Sequence, residues 1–171
     1  EYLGTKPVYV NGENELAKNY ASKNHILYSR NSVGDYHVES PATSLAGTSL
    51  TLVMDGKKTT VTSLLLGLHN IGPLAVSAHI GYRLGLNRAQ IVEGIRKTRA
   101  FNHRLEPNEN KNGVITIDDS YNGNPDGVHA IIEFLASIKG HRRWYVTPGL
   151  VEMGARTMQV HREIGQRLSG A

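Results

Sequence analysis

Val114-Ile115-Thr116-Ile117-Asp118-Asp119-Ser120-Tyr121-Asn122-Gly123-Asn124-Pro125-Asp126 decides the fold of this 171-residue chain. Its first four residues are β-branched, the chemistry of a buried strand. The run ends in two carboxylates and a polar, glycine-containing loop. Asn124 suits a helix N-cap, and Pro125 suits the first helical position, where its missing N–H costs nothing. Val128, Ile131, Ile132, Leu135 and Ile138 then recur at helical spacing, and Gly140 closes the helix. Arg143-Trp144-Tyr145-Val146 reads as the next strand and Thr157 to Leu168 as another helix. This βαβα run predicts an α/β fold with a parallel, Rossmann-like sheet.

Working upstream, Phe101 to Asn112 is polar and contains Pro107, so it reads as a linker and a turn. A domain boundary is expected near Phe101, dividing the chain into 1–101 and 102–171. Before it, Ile71 to Leu84 has helical spacing, with Leu74, Ala75, Ala78 and Tyr82 on one face and Gly85 as a C-cap. Asn87 can cap a second helix with an Ile91, Val92 and Ile95 stripe. Thr48 to Met54 and Thr59 to Leu65 are β-rich runs joined by Asp55-Gly56, a hairpin signal. Gly56-Lys57-Lys58-Thr59 lacks the spacing of a phosphate-binding loop and reads as a solvated turn. At the start, Lys6 to Val10, a helix over Glu13 to Ser22 and His25 to Ser29 predict a parallel βαβ unit. The expected helix face is Leu16, Ala17, Tyr20 and Ala21.

Composition narrows the function. Hydrophobic residues make up 39%, enough for a core, and no apolar run reaches membrane-spanning length. The net charge of +4 comes from scattered basic residues rather than an aromatic-interleaved stripe, which argues against a nucleic-acid binder. With no cysteine, thiolate chemistry and disulfides are excluded, and a cytoplasmic location is expected. The chain starts at Glu1 rather than Met, so it is expected to have been trimmed, processed or cut from a longer one.

Three places carry chemistry. In open α/β sheets ligands collect at the carboxyl ends of strands. There Asp118 and Asp119 can accept sugar hydroxyls or hold a metal, or one of them can cap the turn. His69-Asn70 opens a helix, and Asn70 can either cap it or pair with an adenine edge. Arg104, beside His103, is either a surface charge or a bidentate hold on phosphate. The eight histidines form no HExxH-like pair, so no metal site is expected within the chain.

Gly67-Leu68-His69-Asn70, His103-Arg104-Leu105-Glu106 and Ile117 to Asp126 resemble, in order and spacing, the Mur ligase family. Glu152-Met153-Gly154 and His161-Arg162-Glu163-Ile164-Gly165 extend the likeness. The Asp-Asp-Ser-Tyr-Asn form is most similar to members that add D-alanyl-D-alanine to a UDP-N-acetylmuramoyl-peptide in cell-wall synthesis. The resemblance implies that 1–101 is the tail of a P-loop-type ATPase domain with a hairpin-rich subsheet. It implies that 102–171 is the first half of the Rossmann-like C-terminal domain, hinged at Phe101 to Arg104. It further implies ATP and Mg²⁺ for the full-length enzyme, with an acyl phosphate as intermediate. His69 and Asn70 would lie near the adenine, Arg104 would face the ATP phosphates, and Asp119 would bind the ribose. Tyr121, Asn122, Asn124 and Asp126 would face the nucleotide or the dipeptide. The family's phosphate-binding loop, magnesium ligands and modified lysine have no match in these residues, so the chain alone is expected to be inactive. It departs from the pattern at Pro73, where a second Asn is usual, and at Thr147-Pro148-Gly149-Leu150, where a Gly-Asp pair is usual. The alternative reading is a non-catalytic nucleotide-binding or regulatory module on a ligase-derived fold.

Overall fold

The computed structural model describes residues 7–170. The chain divides into two compact units, the first made of 1–42, 48–64 and 68–98, the second of 43–47, 65–67 and 99–171.

In the first unit, β1 (Val8–Asn11) and β2 (His25–Tyr28) pair in parallel across α1 (Glu15–Asn19). This is the expected βαβ unit, although Lys6 of the predicted first strand lies outside the described residues. The helix is shorter than the 13–22 expected, and its apolar face is not buried: Leu16 is 74% and Tyr20 86% exposed. Asn14 caps its start, accepting from the Ala17 N–H at 2.9 Å. Little more than one turn is too short to lay an apolar stripe on a sheet.

Two strands had no sequence signal, β3 (Ser32–Val33) and β4 (Tyr36–Ser44). Left-handed Ser40 (φ 49°) just before Pro41 interrupts the alternation of β4, which hides it from a period-2 reading. The hairpin of β5 (Gly47–Met54) and β6 (Lys57–Ser63) is as expected. Both turn residues are left-handed, Asp55 at φ 49° and Gly56 at φ 69°. That is the turn geometry whose twist matches the flanking strands. Lys57 and Lys58 open β6 rather than cradle a phosphate, and Lys58 pairs with Glu39 at 2.7 Å. The sheet order is β1-β2-β3-β4-β5-β6.

Alternate residues of the hairpin, Leu50, Leu52, Met54 and Val61, are buried. Helices α2 (Ile71–Arg83) and α3 (Arg88–Arg96) add Ile71, Leu74, Ala75, Ala78, Ile91 and Ile95 to the buried set, and α3 packs on β6. Tyr82, placed on the same face by spacing, stays 38% exposed because its hydroxyl bonds the Asp55 carboxylate at the hairpin tip. Asn87 caps α3 as expected, in a reciprocal capping box with Gln90.

The second unit contains β7 (Glu106–Glu109), β8 (Ile115–Asp118), α4 (Pro125–Ser137) and α5 (Thr157–Gly170). Two sequence expectations fail here. The linker over Phe101 to Asn112 contains β7, which pairs antiparallel with β8, Pro107 opposite Ile117. A polar strand with a proline is tolerated because a two-stranded ladder leaves Pro107 on an edge. Conversely, 143–146 belongs to no strand. Its sequence has strand propensity, but propensity makes no ladder without a partner backbone alongside. Arg143 instead donates to the carbonyls of Leu135 and Ala136 at 3.0 and 3.1 Å, closing the C-terminal end of α4. The α/β class stands.

Helix α4 buries two faces. Val128 and Ile132 pack with Leu150, Val160 and Ile164, so α4 and α5 share a core. Phe134 packs with Leu66 and Leu105, flanked by Ile131, Ile138 and Ile117. The spacing put Leu135 in the stripe, whereas Phe134 is the residue buried to 2% exposure. Among the described residues no helix is long and apolar enough to cross a membrane.

Candidate functional site

The register of β7 against β8 sets Glu106 opposite Asp118, and so brings the turn 103–105 beside the loop 119–122. Four polar contacts then join turn to loop. The Leu105 N–H donates to Asp119 Oδ1 at 3.1 Å, and the Tyr121 N–H donates to the His103 carbonyl at 3.2 Å. His103 Nδ1 meets Asp118 Oδ2 at 2.8 Å. Arg104 Nη1 donates to the Asn122 carbonyl at 3.4 Å, while its guanidinium carbon sits 4.6 Å from the centre of the Tyr121 ring. A cation on an aromatic face is attracted by the ring quadrupole, and the stacking fixes the plane of the guanidinium.

The turn is strained. His103 and Leu105 are both left-handed, at φ 62° and φ 47°. Such residues cost roughly 1–3 kcal/mol each and persist only where their surroundings over-determine them. Here the surroundings are the buried Leu105 side chain below and the Asp119 carboxylate beside it. The product is an exposed guanidinium held between two anchored residues.

Asp118 and Asp119 divide the roles left open by the sequence. Asp118 Oδ1 accepts the Ser120 N–H at 3.0 Å, which is the turn cap. Its other oxygen takes His103, and this bond, with the Ser120 bonds, holds the Asp118 carboxyl at about 2. The same contact raises the His103 imidazole above the ordinary value, first through the hydrogen bond to Asp118 and then through its charge. Asp119 faces the turn that carries Arg104.

Asn124 caps α4, its Oδ1 accepting the Gly127 N–H at 2.8 Å, with Pro125 and Asp126 in the first turn. The cap occupies the oxygen of one residue placed near substrate by the resemblance. Asp126 sits where a negative charge favours the helix dipole. Gly123 lies on the buried Leu150: a Cβ at 123 would stand 2.6 Å from Leu150 Cδ2. The loop Thr147-Pro148-Gly149-Leu150 therefore backs the site. His161 fastens it, accepting the Leu150 N–H at Nε2 (2.9 Å) and donating from Nδ1 to the Thr157 carbonyl (2.8 Å). A Cβ on Gly149 (φ 91°) would meet His161 Nε2 at 2.7 Å. Gly149→Ala is expected to destabilise the chain by roughly 1–3 kcal/mol, read as a lower denaturation midpoint at unchanged slope; an unchanged midpoint would refute the contact.

His69 and Asn70 belong to the first unit, in a 3-10 turn (Leu68–Asn70) that leads into α2. Asn70 is not a side-chain cap: its own backbone is already helical, and its amide lies 3.1 Å from His69 Nε2. The cap expectation fails because the 3-10 turn moves the helix entry upstream. The sequence reading missed His103, Leu105, Gly123 and Leu150 as parts of the site. All four lie in stretches singled out in the sequence, but no local pattern gave them a role.

Residues 103–171 match the family described as Mur ligase, glutamate ligase domain. The match begins at the strained turn and takes in both carboxylates. Over these residues the chain is similar to the Mur ligase family. It is 25% identical over 98% of its length to the UDP-N-acetylmuramoyl-tripeptide–D-alanyl-D-alanine ligase of Bacillus subtilis (strain 168), of which it covers 35%. It is 29% identical over 73% of its length to the Escherichia coli (strain K12) enzyme of the same name, covering 27% of it. The chain thus spans about a third or less of the length of these curated relatives. Its fold superposes on MurF from Acinetobacter baumannii with a TM-score of 0.79 at 19% identity, covering 99% of this chain and 37% of that one. A MurF ligase from Thermotoga maritima in complex with ADP gives 0.71 at 18% identity, covering 95% and 38%.

Proposed function

We propose that this chain is part of a Mur ligase, an ATP-dependent enzyme of peptidoglycan precursor synthesis that joins D-alanyl-D-alanine to a UDP-N-acetylmuramoyl-tripeptide in the cytoplasm. In this reading 1–101 is the later part of a central ATPase domain and 102–171 the first part of a C-terminal domain. The observation that carries it is the guanidinium of Arg104, held on the Tyr121 ring by a strained turn. Strain kept at an exposed cation is the mark of a residue positioned for a ligand.

The γ-phosphoryl group of ATP passes to the substrate carboxylate, releasing ADP. The amine of the dipeptide then attacks the acyl phosphate, forming the amide bond and expelling phosphate. Arg104 donates to the phosphate oxygens, where charge is redistributed during transfer. Asp119 accepts the ribose hydroxyls, its carboxylate oriented by the bond from the Leu105 N–H. Tyr121, Asn122, Asn124 and Asp126 border the nucleotide or the dipeptide, and His69 and Asn70 meet the adenine. When bound, Mg²⁺ neutralises phosphate charge. Among the described residues no three His, Cys, Asp or Glu gather as a metal-ion site. The 171 residues contain no Gly-x4-Gly-Lys-Ser/Thr loop either, so turnover needs one from elsewhere in the protein.

Phosphate release by the full-length protein tests the reading. Release is expected to need ATP, the muramoyl-tripeptide and D-alanyl-D-alanine together. Asp119→Ala should raise the KM for ATP about 10- to 100-fold, the worth of a hydrogen bond to a charged group. Wild-type release without the dipeptide would overturn the dipeptide assignment. ADP binding with no turnover would favour the non-catalytic module.

A further inference from the structure

Among the described residues His103 makes three bonds, and none of them reaches into a helix or a buried core. Its ring takes Asp118, its carbonyl takes the Tyr121 N–H, and its own N–H donates to the Glu106 carboxylate at 3.3 Å. The imidazole is 57% exposed, and ion pairs so open to water add little to stability. Yet this residue sits in one of the two left-handed conformations that flank Arg104. A weak bond in a strained turn has its effect on geometry, by selecting one arrangement of the turn.

We propose that His103 is the positioning residue for Arg104: its bond to Asp118 staples the 103–105 turn to the end of β8 and keeps the guanidinium on the Tyr121 face. The proposal rests on Arg104 being the phosphate contact of the ligase, but the staple itself can be measured without a nucleotide. Asp118 and Glu106 are the carboxylates that face His103, and Arg104 is the neighbouring cation. The imidazole is raised in the folded chain, so the ion pair is complete below the ordinary histidine range. It weakens as pH rises through the raised value. Asp118 is lowered to about 2, so its contribution is lost only as pH falls through that value. Above the window, neutral imidazole still donates from Nδ1, and the staple loosens rather than breaks.

Ring-proton NMR of the full-length protein, with His103 assigned by His103→Asn, tests the staple. The midpoint is expected above that of an ordinary histidine, falling toward it in Asp118→Asn, and the Arg104 Nε signal should follow the same midpoint. An ordinary midpoint, or an Arg104 signal that ignores it, overturns the proposal. Calorimetry with ADP gives the second readout. His103→Ala should weaken binding about 10-fold. His103→Asn, which keeps a donor near Nδ1 but cannot titrate, should restore binding with a flat pH profile. Unchanged affinity in His103→Ala also overturns the proposal. If the wild type binds no ADP at all, the phosphate role of Arg104 falls instead, and the NMR midpoints alone decide the staple.

Discussion

Arg104→Ala in the full-length protein should lower the rate of ligation about 100- to 1000-fold, the usual loss when one donor to a developing charge is removed. The fold should survive. Arg104 is exposed, and its contacts are a ring face at 4.6 Å and one carbonyl at 3.4 Å. An exposed cation–π contact is worth about 0.5–1 kcal/mol. Arg104→Lys is the sharper test, because lysine keeps the charge but lacks the planar fork that stacks on Tyr121 and grips phosphate. It should recover only a small part of the loss. Phosphate release together with a thermal melt checks both variants. A lysine variant near full activity would mean that charge alone suffices and that the strained turn has no catalytic purpose.

Phe134→Ala should be the most destabilising single change in the second unit, by about 3–5 kcal/mol. The ring is 2% exposed and fills the cluster of Leu66 and Leu105. Its effect should not stop at stability. Leu105 follows Arg104, is itself left-handed, and donates its N–H to Asp119. A cavity under Leu105 removes the anchor that over-determines the turn. The folded fraction of Phe134→Ala should therefore bind ADP more weakly than the wild type. Leu135→Ala, at a half-buried neighbour, should cost less and leave the turn alone. Chemical denaturation ranks the two variants, and calorimetry on folded protein separates the site effect. Equal costs at 134 and 135 would contradict the packing.

Local chemistry made much of the chain legible. Asn124-Pro125 marked the start of α4, Asn87 the start of α3, and Asp55-Gly56 the hairpin, because caps and turns are set within a few residues. The β7–β8 ladder was not legible in this way. Glu106 to Glu109 carries no strand signal and forms β7, whereas Arg143 to Val146 carries one and forms none. Strand pairing depends on which backbone lies alongside, a non-local fact. α4 showed only half of its packing, since a helix with two buried faces has no single apolar stripe.

By itself the sequence determined the α/β class, the family resemblance and the residue types of the site: Arg104, the paired carboxylates, and the Tyr121-Asn122 loop. Only the tertiary structure decided how they are held. The β7–β8 register sets the 103–105 turn beside the 119–122 loop, and the bonds from Leu105 and His103 assign different partners to the two carboxylates. Leu150 backs Gly123, and Phe134 supports Leu105. The physical reason is that a motif fixes which groups are present over a short span of chain. Their orientation depends on contacts between residues far apart in sequence, whose pairing no local pattern encodes.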